Sequence, residues 1–192
     1  MNRMQAILFA ILISALVPAP CTAANASKEV TLQVTELNNS YELSVPVSRL
    51  IMTIPKGNLL QNKISGGGSV DSPRYFYFED NKLGIIASGW FESSASYSSF
   101  NQLWYDEKKS WLTKKLPMPV NETIFKSDGW EAVAYDIPVP RQAGNNSHIR
   151  AHWVQAGTWL DLHLSLTSKA ENIELREKLM KLLKSIHVKQ RI

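Results

Sequence analysis

The chain has 192 residues, 44% of them hydrophobic and 20% charged, with six Trp, six Tyr and six Phe. That composition suits one globular domain with a sizeable core and excludes an intrinsically disordered chain. The formal charge of +4 is mild and unclustered, which excludes the dense basic patch of a nucleic-acid binder.

Residues 1–23 fall into three zones. Met1 to Gln5 is short and carries Arg3, Ala6 to Val17 is almost wholly apolar, and Pro18 to Ala23 supplies helix breakers and small residues. This is the layout of a secretory signal peptide, with cleavage expected after Ala23 or Ala24. The apolar run is shorter than the roughly twenty residues of a membrane-spanning helix. The expected organisation is therefore a signal peptide over 1–23 and a single domain over 24–192, with no transmembrane segment in the mature chain. Cys21 is the only cysteine. A lipidated Cys21 is the alternative, but Pro20 stands where a lipoprotein signal places a small residue. With Cys21 removed, no disulfide is available and stability must come from the core. A Cys-free exported domain points to the bacterial periplasm. The sequons at Asn25, Asn38, Asn121 and Asn145 would matter only in a eukaryotic secretory route.

In chain order, Glu29 to Leu37 alternates as a strand, Asn38-Asn39-Ser40 turns, and Tyr41, Leu43, Val45 and Val47 alternate again. Pro46 places that segment at an edge or breaks it. Leu50, Met52 and Ile54 form a third strand, stopped by Pro55. The polar stretch Lys56 to Pro73 contains Gly66-Gly67-Gly68 but lacks the Lys-Ser/Thr of a phosphate-binding loop, and reads as a flexible connection. Arg74 to Glu79 and Leu83 to Glu92 predict a hairpin turning at Asp80-Asn81-Lys82. In the first of these strands, Tyr75-Phe76-Tyr77-Phe78 puts rings on both faces. One face then either exposes aromatics, which can stack on sugars or proteins, or lies beneath a helix.

Phe100, Leu103, Trp104, Trp111 and Leu112 share one helical face. Ser99 with Gln102 fits a capping box, Lys114 and Lys115 suit the helix C-terminus, and Pro117 and Pro119 end the helix. Trp130 to Ile137, His148 to Gln155 and Thr158 to Thr167 predict three more strands. Ser168 with Glu171 suggests a second capping box, opening a helix with the stripe Leu175, Leu179, Leu182, Leu183 and Ile186. The predicted fold is α+β: a mainly antiparallel sheet of about six or seven strands with two principal helices packed against it.

A two-residue turn at Ala156-Gly157 fixes a register. Trp153 faces Leu160, Ala151 faces Leu162 and Ile149 faces Leu164, all on an apolar side. The other side pairs Val154 with Trp159, His152 with Asp161, Arg150 with His163, and His148 with Ser165. The candidate binding face is thus His148, Arg150, His152, Trp159, Asp161 and His163. His152 beside Asp161 is either a cross-strand polar pair on a solvated face or an oriented acid–base pair.

A metal is not expected. His148 and His152 lie about 13 Å apart along one strand, Arg150 would repel a cation, and zinc would need further ligands. No cofactor motif is present. The mature chain has no Cys nucleophile, and no Ser lies in a Gly-x-Ser-x-Gly turn.

The segment Tyr41-Glu-Leu-Ser-Val-Pro, the strand Leu50 to Ile54 ending in Pro55, and the final strand with its Leu-rich helix resemble the PsbP/Mog1-like group of small α/β/α sandwich domains, including envelope members of the DcrB type. Gly157-Thr-Trp-Leu-Asp-Leu-His-Leu-Ser165 is similar to stretches in proteobacterial exported proteins. The resemblance covers most of residues 41–188 at the level of element order. It implies an antiparallel sheet with helices on its faces and a non-enzymatic, accessory role. Three functions are carried forward: an exported binding or accessory protein whose partner is an envelope protein or small ligand, a small periplasmic hydrolase using His152 and Asp161, and a small-ligand carrier with a pocket between sheet and helix.

Overall fold

The computed structural model describes residues 31–62, 74–138 and 144–191. The predicted signal peptide, Cys21 and the Gly66–Gly68 loop lie outside them. Among these residues eleven strands are arranged in two antiparallel sheets. A four-stranded sheet has the order β1 (Gln33–Glu36), β2 (Ser40–Ser44), β3 (Leu50–Pro55) and β11 (His187–Gln190). A seven-stranded sheet has the order β4 (Leu60–Gln61), β5 (Tyr75–Asp80), β6 (Ile85–Ser93), β10 (Thr158–Ser168), β9 (Asn145–Gln155), β8 (Trp130–Asp136) and β7 (Val120–Ser127). Helix α1 is Phe100–Thr113 and helix α2 is Asn172–Ser185. The α+β class and two principal helices agree with the sequence reading. The small second sheet is additional to it.

The sheets and α2 share one core. Alternation sends Phe76, Phe78, Ala87, Phe91, Ala132, Ile149, Ala151, Leu160, Leu162 and Leu164 to the inner face of the large sheet. They meet Tyr41, Leu43, Leu50, Met52 and Ile54 of the small sheet, and Leu175, Leu179 and Leu183 of α2. Asp136 is buried beside this junction, where Arg176 of α2 and Ser147 and Asn121 donate hydrogen bonds to its carboxylate. Burial raises the Asp136 pKa, but these donors outweigh it and hold the carboxyl below its ordinary value. Helix α1 lies on the opposite, outer face. Phe100 and Trp104 are buried there with Val133 and Tyr135 of β8, and Trp111 packs alongside.

Several local expectations change. Ser99 does cap α1, its Oγ accepting from the Gln102 N–H at 3.2 Å, but the Gln102 side chain donates to Asp106 and does not close the box. Leu112 is 67% exposed, off the packed stripe. Residues 168–171 do not form a capping box: Ser168 ends β10, its Oγ accepts from the Ala170 N–H, and Glu171 at the N-cap makes no side-chain cap bond. Strand β2 ends at Ser44, before Pro46.

Candidate functional site

Two tight turns set the site's geometry. At Ala156-Gly157 both residues have positive φ, 51° and 78°, the signature of a type I′ hairpin turn, whose twist matches the strands it joins. The expected register follows throughout, with His152 opposite Asp161 and Arg150 opposite His163. The second turn is Asp128-Gly129, with φ of 49° and 90°, between Ser127 and Trp130. Gly129 is required there, since a Cβ would lie 2.3 Å from the Trp153 ring.

The outer face of the large sheet then reads as rows running across strands. One row is Tyr75, Trp90, Asp161, His152 and Glu131. The next is Tyr77, Ser88, His163, Arg150 and Val133, and a third is Glu79, Ile86, Ser165, His148 and Tyr135. The candidate residues are therefore together. Their face is not freely solvated, however, because α1 crosses its β8–β9 half. The Phe100 ring sits 5.1 Å from that of His152, Trp104 sits 4.9 Å from Tyr135, and Glu107 Oε1 lies 3.7 Å from Arg150 Nη1. His152 is 4% exposed and Asp161 6%.

Within this layer, pairing runs diagonally as well as straight across. Arg150 donates to Asp161 Oδ2, while His152 Nε2 stands 3.5 Å from Asp161 Oδ1, long for a hydrogen bond. Burial raises the Asp161 pKa, but His152 and Arg150 overcome it and keep the carboxylate ionised. Glu107 is pushed up by burial, against the pull of Arg150. His148 stacks between Tyr135 and His163, with ring centroids 5.0 and 5.2 Å away. His148 Nδ1 and His163 Nε2 are 3.0 Å apart, so one hydrogen joins the two rings. Burial lowers His148 to about 4, with Asp136 opposing; burial, His148 and Arg150 lower His163 to about 3. Trp159 packs against His152 and Tyr97 at 5.3 and 5.4 Å.

The described contacts of α1 reach β7, β8 and β9, Trp104 Nε1 and Lys108 Nζ both donating to the Glu122 carboxylate of β7. On the β5–β6 half of the same face Trp90 is 37% exposed, with the Tyr75 ring 4.7 Å away and Tyr77 half-buried. Phe76 and Phe78 point into the core. The aromatic run thus places its phenylalanines inside and leaves its tyrosines on the outer face.

Besides the cover of α1, sequence reasoning missed a second feature. A depression of about 450 Å³ opens where the Asp128-Gly129 turn meets β9 and the segment before α1. Tyr97, Lys126, Asp128, Trp130, Glu131 and His152 are among its lining residues. Tyr97 donates to Glu131 Oε2 at 3.1 Å, and Lys126 pairs with Glu131 Oε1. Burial first, then Glu131, pushes the Tyr97 phenol up to about 12. The Asp-Gly pair was the signal for the turn. The approach of Tyr97, 34 residues earlier in the chain than its partner Glu131, has no local sequence signature.

Among the described residues no group of three or more His, Cys, Asp or Glu is placed to hold a metal ion, and no helix is long and apolar enough to cross a membrane. In solved structures, the chain is similar to cyanobacterial PsbP (CyanoP) from Synechocystis sp. PCC 6803, in its solution structure. The likeness is to PsbP. Identity is 11%, the TM-score is 0.47, and the match covers 83% of this chain and 94% of that one. No family model matches the chain, and no curated protein does. Function rests on this chain's own residues.

Proposed function

We propose that this is an exported, periplasmic, non-enzymatic binding or accessory protein of the cell envelope, engaging a partner protein through the outer face of its large sheet. The observation that carries the reading is the division of that face. Its charged half is ion-paired and covered by α1, whereas Tyr75, Tyr77 and Trp90 keep surface on the other half. Rings with a polar tip and an apolar body are common anchors at interfaces. Residues 1–23, with their charged, apolar and small-residue zones, support export.

Two measurements test this. N-terminal sequencing of the protein from cell fractions should find a periplasmic product starting at Ala24 or Asn25; a full-length cytoplasmic product refutes export. Capture from envelope extract should retain a partner on the native bait and lose it on a Tyr75→Ser/Trp90→Ser bait of equal thermal stability. A partner held equally by both moves the surface elsewhere.

A second reading, hydrolysis with His152 as general base, is favoured by one observation: His152 lines the open depression with the Asp161 carboxylate on its Nε2 side. It predicts turnover of chromogenic ester or amide substrates that falls at least about a hundredfold in His152→Gln. Absence of turnover, or turnover unchanged by that substitution, removes it.

A further inference from the structure

Strand β7 ends the order of the large sheet, and among the described residues no strand pairs with its outer edge. An unpaired edge of eight residues is a template for another strand. Such edges are commonly blunted by a bulge or a protruding lysine, and β7 carries both. Its register shifts between Val120 and Thr123, and the Lys126 side chain is 79% exposed. From Thr123 to Ser127 the pairing with β8 is regular, so side chains alternate between the two faces.

Glu122, Ile124 and Lys126 share the outer face with α1. The Glu122 carboxylate accepts from Trp104 Nε1 and Lys108 Nζ, Ile124 pairs with Val133, and Lys126 pairs with Glu131. Ile124 is 57% exposed between the two opposite charges. This acid, apolar, base order is its own complement when read backwards. Two copies of β7 laid antiparallel about a two-fold axis at Ile124 set Ile124 opposite Ile124, and Glu122 opposite Lys126 twice. Only shifts by an even number of residues keep like faces together. A shift by two in either direction sets Lys126 or Glu122 opposite Ile124, and one of them also brings Glu122 to Asp128. A foreign strand meets Lys126 as a deterrent, whereas a second copy brings it a carboxylate.

Helix α1 leaves room for this pairing. Neighbouring strands are about 4.8 Å apart, so helices lying over β8 in two such copies stand on the order of 15 Å apart. A helix with its side chains is about 10–12 Å across. Tyr105 and Leu112 lie three residues before and four after Lys108, on the same side of α1, and are 60% and 67% exposed. They would border the strip above the two Ile124 side chains. We infer that β7 is a homodimer interface, at which two copies of this chain join edge to edge, centred on Ile124, into one continuous antiparallel sheet. The Tyr75–Trp90 surface lies towards the far end of that sheet, on β5 and β6, so the dimer presents it twice. A repetitive partner would then be held with an avidity that one copy lacks. That bivalence rests on the partner-binding reading, but the interface does not: a monomeric protein that still captures its partner refutes the interface alone.

The test is sedimentation equilibrium of the purified protein from about 5 µM to about 500 µM, with cysteine trapping of the register. The expected result is a reversible monomer–dimer equilibrium. Ile124→Lys sets like charges opposite each other and should weaken association at least about tenfold, with a circular dichroism spectrum and melting temperature close to native. For trapping, Cys21→Ser leaves any introduced cysteine as the only one. Directly opposite residues have Cα atoms about 4.5–5.5 Å apart, within disulfide reach. Ile124→Cys should therefore give a covalent dimer under mild oxidation. Lys126→Cys should not, because its copies lie four residues apart along the strands, about 13 Å. The inference is overturned if the native protein is monomeric throughout, or if Ile124→Lys associates as well as native. It is also overturned if Lys126→Cys cross-links as readily as Ile124→Cys.

Discussion

The β9–β10 hairpin sends its two faces into different surroundings. On the inner face, Ile149, Ala151, Leu160, Leu162 and Leu164 meet α2 and the small sheet in a wholly apolar contact. On the outer face, His148, Arg150, His152, Asp161 and His163 meet α1 and one another. Both faces are largely covered, but the physics of covering differs. Apolar burial is favourable atom by atom and non-directional. A buried ion pair must first repay the loss of water around both charges, and it does so only while both partners are present. The inner face should therefore respond to mutation in proportion to lost volume. The outer face should respond to broken pairing and to pH.

The largest expected effect tests that contrast directly. Arg150→Ala leaves the buried Asp161 carboxylate without its guanidinium and should cost about 3–5 kcal/mol in urea unfolding. The double variant Arg150→Met/Asp161→Leu should lose clearly less than that single variant. If the double variant is the worse of the two, the outer face is held by the pair itself and the comparison fails. Leu162→Ala, at the centre of the inner face and fully buried, should cost about 2–5 kcal/mol whatever the pH. A pH-dependent loss there would mean that the two faces are not energetically separate.

Acid should act through the outer face. In the unfolded chain His148 titrates near 6.5, and in the folded chain near 4. Between those values unfolding takes up a proton, so stability falls as pH falls from about 6.5 towards 4 and is unaffected by this group above that window. At about 1.4 kcal/mol per unit, the His148 contribution is on the order of 3 kcal/mol. His163, facing His148 and Arg150, acts in the same direction. Melting curves across pH 4–8 should show the slope, and His148→Gln should reduce it by about one proton. An unchanged slope would place the acid sensitivity elsewhere. The smallest effect lies at the hairpin tip: Ala156 has φ of 51°, which an alanine adopts at a cost. Ala156→Asn should stabilise by about 0.5–1 kcal/mol and raise the melting temperature by a few degrees.

Much of the fold was legible where local rules act alone. The β9–β10 register could be read because a type I′ turn fixes the count and a one-residue slip would mix apolar and polar faces. Strand β7 was missed: Val120-Asn-Glu-Thr breaks the alternation with a bulge, and this edge strand is mostly exposed, so its pattern carries no core signal. Strand β11 was missed because four residues directly after a helix are too short for periodicity to register. The site was half legible. Opposition of His152 and Asp161 follows from register, but Arg150 reaching Asp161 diagonally depends on side-chain length. The cover of α1 was hidden because its inward stripe includes the charged Glu107, which takes its meaning only from Arg150 on a distant strand.

Strand β11 pairs with β3, joining Gln190 to Leu50 and His187 to Thr53. The small sheet is thus closed by contacts spanning most of the chain. Closure of so large a loop carries an entropic cost before any contact forms, and high contact order slows folding. Until the last strand arrives, β3 presents an open edge to any other strand nearby. The consequence is kinetic. A nascent chain leaves β3 unpaired until residues 187–190 are free to dock, and the interval before β11 docks is when a chaperone would have most to hold.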